Sequence, residues 1–243
     1  YSDHANLLPF VPTGWIDVTA RVAGRWYERE ARRIVGSDFD KSAGCTWAGA
    51  RFYLRHPDDE LEQAVMVIEH SEAGILDEPA MAQRLHDVTD EHGYRLFYPA
   101  DTVLVGDASG GWQDTKRNPA DPGKSFEAFE RAGWTVIRPD PNLAGNPRVR
   151  DRFNLANYLL RKSRERDPLV YVLPGAVEVV DSLREYPMKG ENPARWHEHA
   201  HPADAWTYTA WRRWGRDPDA NPTRVLTGYK GVPRRSRSEM FGR

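Results

Sequence analysis

The chain has 243 residues, 40% of them apolar and 29% charged, with a formal net charge of −2. That is enough for one good core, or one core with an appendage, and it is the composition of a globular chain, not a disordered one. No apolar run is long enough to span a bilayer, no secretory leader is visible, and the single cysteine, Cys45, excludes a disulfide framework and a cysteine-based zinc site.

Cysteine usage reads as a reducing, cytoplasmic compartment, with Cys45 a small buried residue. The first residue is Tyr1, not Met, which reads as a trimmed chain with something upstream. Residues 1–32 are taken as a lead-in or linker remnant. Leu7 to Pro12 looks extended. Asp17 to Arg32 has helical character, with Val18, Val22 and Trp26 on one stripe.

Arg33 to Asp38 is short, apolar and β-branched, and predicts a buried strand. Trp47–Leu54 and Ala64–Glu69 follow as two more strands, separated by turn-forming residues around Gly44 and Pro57. A helix comes next, with Asp77 or Glu78 at its start, Pro79 in its first turn and Gly93 at its end. Thr102 to Asp107 repeats the first pattern: an apolar run, a glycine, an aspartate. Ser125–Ala132 is a short helix closed by Gly133, and Trp134–Arg138 another strand. Val149, Phe153, Ala156 and Leu160 make a helical stripe with arginines assigned to the opposite face. Leu169–Leu173 is a short apolar strand. Val177, Val180 and Leu183 mark a helix closed near Pro187. Pro202 opens a last helix on which Asp204, Tyr208 and Trp211 share a face. A three-strand meander followed by βα units predicts an α/β fold, a mixed sheet with helices on both faces. Residues 33–215 are its domain, and 216–243 a basic tail.

Asp38 and Asp107 each follow an apolar strand, and in an open sheet sites form beyond the strand carboxyl ends. If the two strands are parallel neighbours, both carboxylates reach one crevice, and Asp204 on the late helix can join them. Three carboxylates without cysteine or a compact histidine cluster suit a hard divalent cation, Mg²⁺ or Mn²⁺. Phosphodiester hydrolysis has a use for such a set. The substrate is anionic, and two cations about 4 Å apart reverse the local charge, activate water and stabilise the leaving oxygen. Each aspartate alone also reads as a turn former, or as a residue favoured by the helix dipole; the spacing leaves both readings open. Asp40, two residues beyond Asp38 on the same strand face, is an auxiliary or alternative ligand.

The stretch Ala144–Phe153 resembles the segment preceding the last helices of the nuclease domain in phage large terminase subunits. His201-Pro202-Ala203-Asp204-Ala205-Trp206 looks like that family's closing motif. Gly36-Ser37-Asp38 resembles its first-strand aspartate, and Val105-Gly106-Asp107 its second acidic motif. The resemblance runs from Arg33 to about Trp214. It implies an RNase H-like fold and a metal-dependent endonuclease that cuts concatemeric double-stranded phage DNA during genome packaging in the cytoplasm of the infected host. Asp38, Asp107 and Asp204 fall on the metal-binding carboxylates of two ions. The implied partners are duplex DNA, an upstream motor ATPase domain, a portal and a small terminase subunit. The pattern departs from the family in having Phe39 and Asp40 after the first aspartate, and in lacking any P-loop.

A nuclease must neutralise phosphates. Arg148, Arg150 and Arg152 lie in a stretch to Arg166 opposed only by Asp151 and Glu165. Lys124, beside the long 110–123 loop, is a further DNA contact. A solvated face is the plain alternative for the arginines. His201, with His197 and His199 before it, reads as a residue near the helix cap before Pro202, whose imidazole can hydrogen-bond a metal-bound water; Glu69, at the end of the third strand, reads as a solvated or turn residue, with an outer-shell role as the alternative. Trp206, Trp211 and Trp214 read as packing. The rival functions are a Holliday-junction resolvase on the same fold and a non-catalytic docking domain of the packaging motor.

Overall fold

The computed structural model describes residues 7–18, 33–40, 44–56, 58–59, 63–90, 92–107, 125–137, 147–161, 167–186, 188–189, 192–193 and 200–215. Its centre is a seven-stranded sheet. Strand β1 (Ile16–Asp17) precedes a meander of β2 (Arg33–Asp40), β3 (Gly44–Leu54) and β4 (Val65–Ile75). Helix α1 (Glu78–Asp87), strand β5 (Thr102–Gly106), helix α2 (Ser125–Arg131) and strand β6 (Thr135–Val136) follow. Then come α3 (Val149–Leu160), β7 (Val170–Val172), α4 (Val177–Glu185) and α5 (Ala200–Trp214). The short strands β8 (Met188–Lys189) and β9 (Asn192–Pro193), between α4 and α5, pair with each other.

The sheet runs β6-β5-β2-β3-β4-β7, with β1 beside β3. The meander is antiparallel; β5 is parallel to β2, β6 to β5 and β7 to β4. This is the mixed sheet with flanking helices that the element order anticipates. The βα units return β5, β6 and β7 parallel, because a crossover helix must lie across the sheet before the chain re-enters it.

Alternation along the strands sorts the core into two layers. Ile34, Ala48, Ala50, Phe52, Met66 and Ile68 face α3, α4 and α5, where Leu155, Leu159, Val179, Trp206 and Trp214 meet them. Val35, Cys45, Trp47 and Leu104 face α1 and α2, against Met81, Leu85, Phe126 and Phe129. Cys45 is buried among these apolar side chains, so the thiol is a core group. The three tryptophans of α5 likewise pack, with Trp206 and Trp214 buried and Trp211 against the same cluster.

Several element bounds differ from the sequence reading for identifiable reasons. Asp77 caps α1 by accepting a hydrogen bond from Ala80 N at 2.8 Å. That helix ends at Val88, which turns extended, and Gly93 serves the next turn at φ +79° instead. Asp17 lies in a strand, not a helix: Ile16 and Asp17 pair with Leu54 and Tyr53. Val18 then enters the core. The rest of the proposed 17–32 helix, and the 216–243 tail, lie outside the described residues. Helix α5 begins at Ala200, so His201 sits inside its first turn and not at a cap before Pro202.

Helix α5 crosses β2 at very short range, and Gly36 is the reason. A Cβ at position 36 would stand 2.0 Å from Ala205 O and 2.6 Å from Thr209 Oγ1. Gly36→Ala is therefore expected to lower stability by about 3 kcal/mol, the upper range for overpacking, seen as a reduced midpoint in urea denaturation. An unchanged midpoint would show that α5 has room to retreat.

Candidate active site

Strands β2 and β5 are parallel neighbours in the register Arg33↔Thr102 to Ser37↔Gly106. The residues that follow, Asp38 and Asp107, thus leave adjacent strands at the same carboxyl-terminal level. Two small residues make this possible. Ser37 is fully buried and its Oγ donates to Val105 O at 3.0 Å, tying the strands together. Gly106 leaves space for that hydroxyl, since a Cβ there would lie 2.3 Å from Ser37 Oγ. Asp107 N also donates to Ser37 O at 3.3 Å.

Asp38 alternates with Gly36 and therefore projects toward α5. There His201 Nδ1 donates to Asp38 Oδ2 at 2.7 Å. The carboxylate fixes the tautomer and the ring orientation of the imidazole. Three residues further along α5, Asp204 forms an ion pair with Arg152 of α3, Nη1 to Oδ1 at 2.9 Å. The same Nη1 donates to Thr207 Oγ1 at 3.0 Å. The guanidinium lies over the Tyr208 ring, 4.2 Å from its centroid, a cation–π placement.

The electrostatics bind these groups into one site. Burial pushes the Asp204 carboxyl up from its ordinary value, Arg152 opposes that, and the charge of Asp38 adds to it. Burial alone would lower Arg152; Asp204, Tyr208 and Asp38 together outweigh it and hold the guanidinium above its usual range. Tyr208 is pushed far up by burial, and the charges of Asp107, Asp204 and Asp38 all reach it, so its phenol keeps its proton. One tyrosine thus stands within the field of all three aspartates.

Asp38, Asp107 and Asp204 are therefore gathered at one end of the sheet, but not into a finished cage. Among the described residues, no three His, Cys, Asp or Glu side chains are close enough to enclose a metal ion. The donor set still fits a hard cation of the Mg²⁺ type, which is held by one or two carboxylates and completes its shell with water and substrate phosphate oxygens. The crowding of Asp204 by Asp38 fits it too, because a cation between two carboxylates relieves a repulsion that the protein alone leaves in place.

Two assignments from the sequence are corrected. Arg152 is not a DNA contact: it is 2% exposed and turned inward to Asp204. The helical stripe of α3 includes Arg152 beside Phe153 and Ala156, because the guanidinium has a buried carboxylate to meet. Glu69 is not at a strand end and has no place near the aspartates. It lies mid-strand in β4, which continues to Ile75, and bonds Arg33 Nε at 3.3 Å and Tyr53 Oη at 3.2 Å. Arg51 Nε stands 3.4 Å from the same carboxylate. Arg33 and Arg51 project from the opposite sheet face to Asp38. Burial raises the Glu69 carboxyl, with Arg51 opposing; this is a structural ion cluster.

Arg148 and Arg150 are exposed at the start of α3. Arg148 lies one turn before Arg152, on the helix end nearest the site. Asp40 continues β2 opposite Gly44, and its side chain lies outside what the structure describes. Lys124, the 110–123 loop, His197 and His199 also lie outside the described residues. Sequence reasoning missed Arg152 as a partner of Asp204 and missed Tyr208 as part of the site. The signal for the first was an arginine flanked by core positions on an amphipathic helix.

No family model and no curated protein matches the chain. Among solved structures it is similar to the large terminase from a thermophilic bacteriophage. In crystal form 3 of that terminase the TM-score is 0.46 at 12% identity, over 87% of this chain and 43% of that one. The complex with ADP gives 0.47 at 13%, over 87% and 43%, and crystal form 2 gives 0.47 at 13%, over 87% and 42%. The chain spans less than half the length of those terminase chains. No described helix is long and apolar enough to cross a membrane.

Proposed function

We propose that the chain is a divalent-metal-dependent endodeoxyribonuclease acting on double-stranded DNA, the nuclease part of a phage genome-packaging enzyme. One observation carries this reading. Asp38 and Asp107 leave neighbouring parallel strands at the same level, and α5 brings Asp204 within the field of Asp38. Burial and the charge of Asp38 both oppose the charged form of Asp204, with Arg152 acting against them, so its place here is not one that packing favours.

Asp38, Asp107 and Asp204 would hold Mg²⁺ or Mn²⁺. When bound, the metal supplies positive charge for the scissile phosphate and acidifies water at neutral pH. The chain's own residues do the rest. His201 holds Asp38 through Oδ2, and Arg152 holds Asp204 through Oδ1. The protonated Tyr208 supports the guanidinium from below. Arg148 and Arg150 present exposed cations to phosphates of the duplex backbone, without sequence preference. In this reading the DNA is fed by an ATP-driven motor domain, and Asp40 and Lys124 remain an auxiliary ligand and a DNA contact.

The test is supercoiled plasmid incubated with purified protein and Mn²⁺. Nicked and linear products are expected, none in EDTA, and little from Asp107→Ala protein that retains its circular dichroism. Intact plasmid under all conditions would overturn the nuclease reading and leave the docking role. Faster cutting of a four-way junction than of linear duplex would transfer the activity to a resolvase. Raising salt from about 50 to about 200 mM is expected to weaken duplex binding of wild type by one or more orders of magnitude, and Arg148→Ala is expected to flatten that slope by about one unit.

A further inference from the structure

Phe39, the aromatic residue directly after Asp38, packs between the two strand ends that carry Asp38 and Asp107. Strand alternation sends Asp38 toward α5 and Phe39 to the opposite sheet face, over α2. There its ring meets Phe126 edge-on at 5.5 Å between centroids and Phe129 at 5.8 Å. The same ring lies over the backbone of Gly106: a Cβ added at that glycine would stand 3.4 Å from Phe39 Cε2. Phe39 is thus the covalent neighbour of Asp38 and the packing neighbour of the residue that precedes Asp107.

The strand pairing around it is uneven. On one side β2 stays paired with β3 as far as Asp40↔Gly44. On the other, its registered pairing with β5 stops at Ser37↔Gly106, one residue short of both carboxylates. Beyond that point comes a long backbone bond, from Asp107 N to Ser37 O at 3.3 Å. The Phe39 ring lies beside the place where the ladder ends. Its seat is itself anchored, because Phe126 and Phe129 are buried and α2 is tied to α1 where Ser125 Oγ donates to Glu78 Oε1.

We propose that Phe39 is a positioning residue: its ring, wedged between Gly106 and α2, holds the carboxyl ends of β2 and β5 at a fixed spacing and so fixes Asp38 relative to Asp107. That these aspartates serve catalysis rests on the nuclease reading; that the ring holds the two strand ends does not. Phe39 faces away from Asp38 and has no need to touch DNA. Its loss therefore acts on turnover and not on duplex binding, since a misplacement of about 1 Å can cost about a hundredfold in rate.

The experiment compares wild type with Phe39→Val, Phe39→Met and Leu85→Ala. Valine keeps the strand propensity but is too short to cover Gly106; methionine restores reach and volume. Phe39 is only partly buried, so the valine variant keeps the rest of the core. Leu85→Ala truncates the same core layer from α1 and reports what lost packing alone does. In metal-free protein, hydrogen exchange of the Asp107 amide, followed by NMR, is expected to quicken by about tenfold or more in Phe39→Val relative to Leu85→Ala, as the bond to Ser37 O opens locally. With Mn²⁺, kcat for plasmid cleavage by Phe39→Val is expected to fall by about tenfold or more with KM for DNA within about twofold of wild type, and Phe39→Met to recover most of the loss. Exchange and kcat in Phe39→Val that match those of Leu85→Ala overturn the proposal and leave the nuclease reading standing. Plasmid left intact by wild type overturns the nuclease reading, and the Asp107 amide still decides whether Phe39 holds the strand ends.

Discussion

Replacing Arg152 with methionine is expected to cost the metal-free protein about 3–5 kcal/mol of unfolding free energy, the magnitude typical of removing one partner from a buried ion pair. Arg152 is 2% exposed and Asp204 is mostly buried, so the abandoned carboxylate has little access to water. The loss comes less from the attraction given up than from the charge left behind. Thr207 Oγ1 also loses its donor, and Tyr208 loses the cation above its ring. Methionine fills much of the arginine stem's volume, which keeps a cavity from confusing the result. The control is the pair Arg152→Met with Asp204→Asn. With both charges gone, most of the lost stability is expected to return, and the double-mutant cycle isolates the coupling. Chemical denaturation read by tryptophan fluorescence measures it. A single-mutant loss under about 1 kcal/mol would mean that water reaches Asp204, contrary to the packing described.

Asp38→Asn is expected to have the opposite profile: loss of DNA cleavage by about a thousandfold, of the order seen when a charge-stabilising group is removed from an active site, with the fold intact. Asparagine keeps the shape and still accepts from His201 Nδ1. It also removes the negative charge that pushes Asp204 upward. Metal-free stability should therefore hold or rise slightly, while Mn²⁺ ceases to raise the melting temperature. Plasmid cleavage and thermal unfolding, each with and without Mn²⁺, read the two effects separately. Cleavage within about tenfold of wild type would remove Asp38 from the site and shift attention to Asp40, two residues on in β2.

These two residues show where the sequence was readable. Asp38 and Asp107 stood out because each closes a short apolar run; that the two runs are parallel neighbours, which the sequence offered only as a condition, is given by the register of β2 and β5. Their register, Ser37 against Gly106, then places both carboxylates without further information. Asp204 was singled out by the resemblance of its motif and by its place on a late helix. Arg152 was not. A helical stripe read by apolarity assigns every arginine to the solvent side, and only the position of a buried carboxylate on another helix, 52 residues on, reverses that for one of them. Glu69 failed in a related way. Its strand runs well past the point that apolarity suggested, to Ile75, because β4 continues to pair with β3 beyond the place where its side chains turn polar. The glycines were visible as turn or strand-end residues. Gly36's actual service, admitting the backbone of α5 to van der Waals range of β2, depends on a contact between distant parts of the chain.

The junction of β2 with α5 also has a bearing on how the molecule is made. His201 and Asp38 meet across 163 residues of chain. At roughly 5–20 residues per second a ribosome needs on the order of ten seconds or more to deliver the second after the first. Late in that interval, once β5 has been made, Asp38 and Asp107 can already occupy paired strands, yet Arg152 has no Asp204 to meet. A nascent chain is thus without the assembled centre until α5 emerges and seats itself on Gly36, so any chemistry the centre performs is withheld until synthesis has passed that helix.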